Sequence, residues 1–236
     1  MNALEFQDVS FSYPGGREVL RHISFSLQHG EKVALVGLNG SGKSTLLLHT
    51  NGLLIADSGK VYVSGKAIDR KSVDECRKSV GMVFQNADDQ LFMPTVEADV
   101  AFGPRNMGLP EEEIKRRVDK ALLQTGCSEL KDRAPFHLSG GQKKMASIAT
   151  VLAMQPNILV FDEPTSGLDF AAEAQFIGIV DRLPHTMLMS THDMDLARRL
   201  CTRAILMDRG AIAYDGPIDT LPYPLIMELR TSKPQM

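Results

Sequence analysis

Two short runs and one repeated theme carry the chemistry of this sequence. The first run is "GLNGSGKST", Gly37 to Thr45, directly behind the apolar stretch "VALV". A strand that runs into G-x-x-x-x-G-K-S and then a helix is a phosphate cradle. Gly37, Gly40 and Gly42 let the backbone curl so that its N–H groups converge on phosphate oxygens. Lys43 would bridge the β- and γ-phosphates, and the Ser44 hydroxyl would ligate Mg²⁺. Asn39, Ser41 and Thr45 complete the candidate nucleotide-binding loop. A glycine turn ahead of a helix also arises by chance, but the preceding strand favours nucleotide.

The second run is "NILVFDEP", residues 157–164. Four apolar residues end in Asp162 and Glu163, at the carboxyl end of a buried strand, where open α/β sheets bind ligands. Asp162 would hold Mg²⁺ through water, and Glu163 would orient or deprotonate an attacking water. Paired acids at a strand end also serve as a plain helix cap; the upstream glycine loop argues for the catalytic reading. The theme then repeats. "LSGGQ", Leu138 to Gln142, places two glycines and a serine before "KKMASIATVLAM", a second anion-binding turn on a helix N-terminus. One chain with two phosphate cradles is a puzzle that its own nucleotide does not solve.

The elements that must position these runs follow from hydrophobic patterning. Nearly unbroken apolar runs at 33–36, 80–84, 158–161, 186–190 and 204–207 read as strands buried on both faces, hence a mainly parallel sheet. Helical stretches alternate with them, "KSTLLLHTNGL", "AAEAQFIGIVDRL" and "MDLARRL", and imply an α/β fold. The N-terminal "LEFQDVSFSY", "PGG" and "REVLRHISFSL" instead alternate apolar with polar, as an antiparallel β subdomain does. From Thr95 to Met154 strand signals vanish. "PEEEIKRRVDKALLQTG" predicts a helix starting at Pro110, with Ile114, Val118, Ala121 and Leu122 on its buried stripe. The expected organisation is one domain over 1–236: a core from 1–94 and 155–216, an inserted α-helical subdomain over 95–154, and a short C-terminal tail over 217–236.

Bulk properties exclude several classes. The 236 residues are 43% hydrophobic and 23% charged, ordinary for a soluble globular chain. A net charge of −3 argues against nucleic acid as a partner, and "KRR" (115–117) and "RR" (198–199) read as solvated helix faces. Cys76, Cys127 and Cys201 lie far apart and suit a reducing compartment. No secretory leader is visible, and no apolar run approaches the roughly 18 residues of a membrane span, so a cytoplasmic protein is expected.

Taken in order, the P-loop, Gln85 after a strand, "LSGGQ", "DEP" and "STHD" (190–193) resemble the ATP-binding-cassette ATPases over nearly the whole chain. The resemblance implies a P-loop NTPase cassette whose helical insert carries the signature loop, and it implies head-to-tail pairs of cassettes. The second cradle then serves the nucleotide of the partner chain. On that resemblance Ser139, Gly140, Gly141 and Gln142 contact the γ-phosphate across the interface. Tyr13 stacks on adenine, a plain hairpin tyrosine being the alternative. Gln85 senses Mg²⁺ and the attacking water, Asp169 of "SGLD" couples the two sites, and His192 is a switch at the γ-phosphate. ATP and Mg²⁺ are the implied cofactors.

The segment "FQNADDQLFMPTVEADVAFGP" (84–104) is similar to the cobalt and energy-coupling-factor branch of importers. This implies a motor at the cytoplasmic face of the membrane, driving uptake of a transition-metal ion, cobalt first and nickel second, with vitamin uptake as the alternative. A transmembrane coupling subunit would dock near Gln85 to Pro104, using Leu91, Phe92 and Met93, with helix packing the alternative for those three, and a substrate-capture membrane subunit would complete the assembly. The second ATPase chain would be a copy or a paralogue. Met145, Ala87 and Phe170 depart from the family's usual arginine, proline and proline. Two rivals are a soluble repair-type cassette, disfavoured because residues 86–138 hold no sustained heptads, and a non-hydrolysing scaffold, disfavoured by Glu163 and His192. The other histidines (22, 29, 49, 137, 185) show no ligand spacing.

Overall fold

In the computed structural model the described residues are 1–222, so residues 223–236, most of the expected tail, lie outside them. The chain begins with β1 (Leu4–Ser12), β2 (Glu18–Leu27), β3 (Lys32–Gly37), α1 (Lys43–His49), β4 (Ser58–Val63), β5 (Lys66–Ala67) and α2 (Val73–Ser79). It continues through β6 (Val80–Val83), α3 (Val96–Asn106), α4 (Glu111–Thr125), α5 (Gly140–Met154), β7 (Ile158–Asp162) and α6 (Phe170–Asp181). It closes with β8 (Thr186–Ser190), α7 (Met194–Leu200), β9 (Arg203–Asp208) and β10 (Ala211–Pro217). These elements gather in two compact units, residues 1–77 with 185–222, and residues 78–184.

The first unit holds two sheets. The alternating N-terminal segment forms the expected antiparallel sheet, in the order β2-β1-β4-β5. Its register puts Phe6 opposite Phe25, their rings stacked at 4.7 Å, and Leu4 opposite both Leu27 and Val63. A turn joins β1 to β2, with the Gly16 N–H donating to the Tyr13 carbonyl at 2.9 Å. In the other sheet β3 lies between β8 and β9, parallel to both, and β10 returns antiparallel along β9. Val33 to Val36 are buried, as are Met187 to Met189 and Ala204 to Met207, because each strand has neighbours on its edges and cover on its faces. Helix α1 stops at His49, short of the expected run to Leu53. The Thr50 hydroxyl donates back to the Leu47 carbonyl at 2.6 Å, and Asn51 accepts from the Leu53 N–H, so the polar pair turns the chain out of the helix.

In the second unit β6 and β7 pair in parallel, Val80 opposite Ile158 and Val83 opposite Phe161. Phe161 meets Phe176 of α6 edge to face, centroids 5.6 Å apart. Helices α3, α4 and α5 pack on one another. Thr95 caps α3, its hydroxyl accepting from the Ala98 N–H, and α4 starts behind Pro110 with Glu111, Glu112 and Glu113 in its first turn, complementing the helix dipole. The anticipated stripe Ile114, Val118, Ala121 and Leu122 is buried. Glu113 accepts from both Arg116 and Arg117 at 2.7 Å, which holds its carboxyl down at about 2, and Arg117 also donates to the Met154 carbonyl of α5 at 3.3 Å. The strand expected over 80–84 ends at Val83, because the Phe84 backbone is bonded by side chains instead of by a neighbouring strand.

Phe176 is fully buried, and truncating it leaves a large void beside Phe161. Phe176→Ala should lower unfolding stability by about 3–5 kcal/mol. A urea-unfolding midpoint close to the wild-type value would contradict this packing.

Candidate functional site

In the first unit the P-loop leaves β3 at Gly37 and enters α1 at Lys43. Gly37 has φ +149, and a Cβ there would lie 2.4 Å from the Met207 carbonyl oxygen of β9 and 2.8 Å from Ser41 Oγ. No side chain fits, so glycine is required by the approach of β9 as well as by the turn. Lys43 is buried, and its ammonium lies inside the loop, donating to the carbonyls of Gly37 at 2.9 Å and Leu38 at 3.3 Å. Asn39, Gly40 and Ser44 face outward, while Ser41 and Thr45 are buried. The Tyr13 hydroxyl lies 3.3 Å from Thr45 Oγ1, and the ring, 41% exposed, stands edge-on to Phe11.

His192 belongs to the same edge of this unit. Strand β8 ends at Ser190 beside Leu35 of β3, and the Thr191 N–H donates to the Leu35 carbonyl at 3.2 Å. The exposed His192 therefore leaves the sheet next to the strand that feeds the P-loop. Asp193 ends the loop by capping α7, its carboxylate accepting from the N–H groups of Asp195 and Leu196.

The second unit carries the other candidates. Parallel β6 and β7 end at the same edge, so Gln85, two residues past β6, emerges on the side where β7 presents Asp162 and Glu163. Both acids are buried, and Gln85 is exposed. Glu163 holds φ at 41°, the left-handed region that costs a non-glycine residue on the order of 1 kcal/mol. Strain of that kind is retained where a side chain must be aimed.

Ser139 caps α5 in a reciprocal box. Its hydroxyl accepts from the Gln142 N–H at 3.3 Å, and Gln142 Oε1 accepts from the Ser139 N–H at 3.0 Å. The Lys143 N–H closes the first helical bond to the Ser139 carbonyl. Helix geometry thus leaves the N–H groups of Gly140 and Gly141 without an intrahelical acceptor. The two glycines differ: a Cβ on Gly141 would sit 2.6 Å from Ala172 Cβ of α6, whereas a Cβ on Gly140 meets nothing within 4 Å among the described residues. The turn expected ahead of the helix is thus part of it: Ser139 is the cap, and Gly140, Gly141 and Gln142 begin α5. Asp169 caps α6 through the Ala172 N–H at 2.8 Å, and Phe170 behind it is 88% exposed.

Sequence reasoning missed Lys144. It is 2% exposed, and its ammonium donates to the carbonyls of Phe84 at 2.9 Å and Gln85 at 2.7 Å. Burial pushes it down to about 8 against the opposing pull of the Asp162 charge. Its position in "KK" reads as solvent-facing, and only the burial of α5 reverses that. The expected exposed cluster at 91–93 also needs correction. Leu91 is buried, while Phe92 is 63% exposed and meets the part-exposed Phe102 edge to face at 4.9 Å. Asp99 is the reason: its carboxylate accepts from the N–H groups of Phe92 and Met93, both at 3.0 Å, and turns the segment so that Leu91 points inward.

The family model described as ABC transporter matches residues 20–166, a span that runs from the P-loop through "LSGGQ" to "DEP". The chain belongs to the ABC transporter family. This cassette is 47% identical to the energy-coupling factor transporter ATP-binding protein EcfA of Methanocaldococcus jannaschii, over 92% of the chain and 78% of that protein. Among solved structures it is similar to cbiO1 of Clostridium perfringens, part of the ABC transporter complex cbiONQ. The TM-score is 0.83 at 39% identity, covering 92% of this chain and 89% of that one. It is also similar to the dimeric ATP-binding cassette MJ0796, in a post-hydrolysis state with ADP and Pi bound. That match has a TM-score of 0.81 at 26% identity, covering 91% and 98% of the two chains. As an ABC cassette the chain is an ATPase, with the P-loop NTPase fold expected from its motifs. No helix among the described residues is long and apolar enough to cross a membrane.

The two glycines at the head of α5 have different surroundings. Gly141→Ala should destabilise by about 1–3 kcal/mol through the clash with Ala172. Gly140→Ala should leave stability unchanged or raise it by up to about 1 kcal/mol. Equal shifts in the thermal midpoints of the two variants would contradict the difference in their surroundings.

Proposed function

We propose that this cassette is the ATP-hydrolysing motor of an energy-coupling-factor-type importer, and that it works as a nucleotide-sandwich dimer at the cytoplasmic face of the membrane. The observation that carries the sandwich is the head of α5. Two N–H donors there have no helical acceptor, Ser139 and Gly140 are exposed, and nothing among the described residues requires a glycine at 140. A γ-phosphate held by a second chain supplies both the acceptor and the reason for a slim residue. Hydrogen bonds to a charged group contribute about 1.5–3 kcal/mol each. Switching a pair from mostly open to mostly closed takes about 5.5 kcal/mol. Two to four such contacts from Ser139, Gly140, Gly141 and Gln142 therefore suffice, and they vanish when the γ-phosphate leaves.

In this reading Gly37 to Thr45 wrap the triphosphate, Lys43 neutralises it, and Tyr13 stacks on adenine with its exposed ring. Glu163 orients or deprotonates the attacking water, Gln85 senses Mg²⁺ and that water, His192 responds to the γ-phosphate, and Asp169 couples the paired sites. Ser44, Gln85 and Asp162 would hold Mg²⁺, and each offers the oxygen donor that this ion takes. The ion, when bound, offsets charge on the β- and γ-phosphates. The proposed division is a core of 1–94 and 155–216 into which the helical subdomain 95–154 is inserted. The exposed Phe92 and Phe102 would lie in the surface, Gln85 to Pro104, that docks the coupling subunit. The cargo proposed from the 84–104 segment is a transition-metal ion, cobalt before nickel, delivered by a substrate-capture membrane subunit. The second reading is vitamin uptake by the same type of importer, the energy-coupling-factor type that two similar proteins are named for. Uptake of labelled cobalt, nickel and vitamins by cells with and without the intact motor separates the two.

Glu163→Gln should lower steady-state phosphate release by roughly 10²–10⁴-fold, the share of a positioned base. Unchanged turnover would remove Glu163 from the chemistry. The sandwich has its own test. Ser139→Arg chains and Lys43→Ala chains should each be inactive alone, yet a mixture should regain hydrolysis. The mixed dimer keeps one site with an intact P-loop from one chain and an intact signature from the other. Absence of recovery would overturn the shared site.

A further inference from the structure

We propose that Lys144 is a positioning residue for hydrolysis: it pins the backbone of Phe84 and Gln85 to α5, so that Gln85 and the signature at the head of that helix move as one piece. The proposal rests on the reading that Gln85 serves the hydrolytic centre. Its own support is geometric. A buried ammonium costs several kcal/mol in desolvation and is kept only where its hydrogen bonds are well made. Here two of its three donors go to consecutive carbonyls, of Phe84 and Gln85, and its charge faces that of Asp162 on β7. A methionine would fill the same space without that cost. The donors are what the lysine adds.

Neighbouring residues reinforce the same tie. Lys143 bonds Asp88 at 2.6 Å. Gln90 donates to the Ser147 carbonyl at 2.9 Å and to Thr150 Oγ1 at 2.8 Å, while its Oε1 accepts from the Phe84 N–H. Residues 143, 144, 147 and 150 share one face of α5. Phe84 is thus gripped at its N–H and its carbonyl by side chains, in place of the strand pairing it leaves at Val83. Residues 84–90 are laced to α5 along two turns, with Lys144 at the point nearest Gln85. Release of that point lets the Gln85 backbone drift, and a shift near 1 Å at a reacting centre lowers rate far more than it lowers affinity.

The test uses the full-length chain. Lys144→Met should lower kcat for ATP hydrolysis roughly 10- to 100-fold, with KM for ATP changed by no more than about two-fold. Hydrogen–deuterium exchange of the 85–90 amides should accelerate by about ten-fold or more, while α4 keeps its protection. The double variant with Gln85→Ala should be no slower than Gln85→Ala alone, because both act through one group. Lys144→Gln replaces the methionine variant if the latter does not yield folded protein. Wild-type kcat in Lys144→Met beside an impaired Gln85→Ala would overturn the proposal, as would unaltered exchange or multiplicative losses. Wild-type turnover in Gln85→Ala would instead strike the role of Gln85, and the exchange result would still judge the grip of Lys144.

Discussion

Parallel pairing is the constraint on which the rest depends. Strands that run the same way end on the same side, so the loops that follow them must share an edge. In the first unit the pairing of β3 with β8 and β9 puts the P-loop, the His192 loop and the Met207 end of β9 together. In the second, the pairing of β6 with β7 does the same for Gln85 and the Asp162–Glu163 pair. Chemistry-bearing residues far apart in sequence are neighbours because hydrogen-bond register leaves them no other place. The requirement for glycine at 37 is a by-product: the last residue of β3 lies against the Met207 carbonyl, and only a residue without Cβ tolerates that approach.

Polar groups near those edges are buried, and each is held by a different device. Lys43 meets carbonyls of its own loop. Glu163 accepts a left-handed backbone to aim its carboxyl. Lys144 meets carbonyls of a distant segment, and Asp99 spends its carboxylate on the N–H groups of Phe92 and Met93. Buried polar atoms are retained where their bonds specify a single arrangement of irregular backbone. Residues 84–94 hold only one short turn, Ala87–Asp89, so Lys144, Gln90 and Asp99 do much to set the shape of the rest.

That is also the boundary of what the sequence disclosed. Period and run length exposed β3, β6, β7, β8 and β9, because a strand covered on both faces has to be apolar throughout. The α4 stripe was legible for the same reason, a one-sided burial read at helical spacing. The P-loop spacing was legible because phosphate geometry dictates it. Lys144 was hidden, since a lysine after "LSGGQK" looks solvated until α5 is seen to be buried on that side. Leu91 was misread in the opposite sense: its burial is set by Asp99, eight residues on, through backbone bonds that leave no hydrophobic pattern. The break after Val83 was invisible too, because apolar Phe84 continues the run while its backbone does not.

The two glycines of the signature show why fold and function were entangled in one motif. Gly141 answers to Ala172 inside the chain, and Gly140 meets nothing within 4 Å among the described residues, though both begin the same helix. In the proposed sandwich the helix head is slim toward α6 and also toward an outside phosphate, and consecutive glycines meet both demands, each near 1 kcal/mol less helix-favouring than alanine. The capping box offsets part of that loss by fixing Ser139 and Gln142 against each other. A helix capped at Ser139 and, one turn on, bonded through Lys144 to the carbonyls of Phe84 and Gln85 fixes irregular backbone against its own first turn, which a loop at the same place could not do.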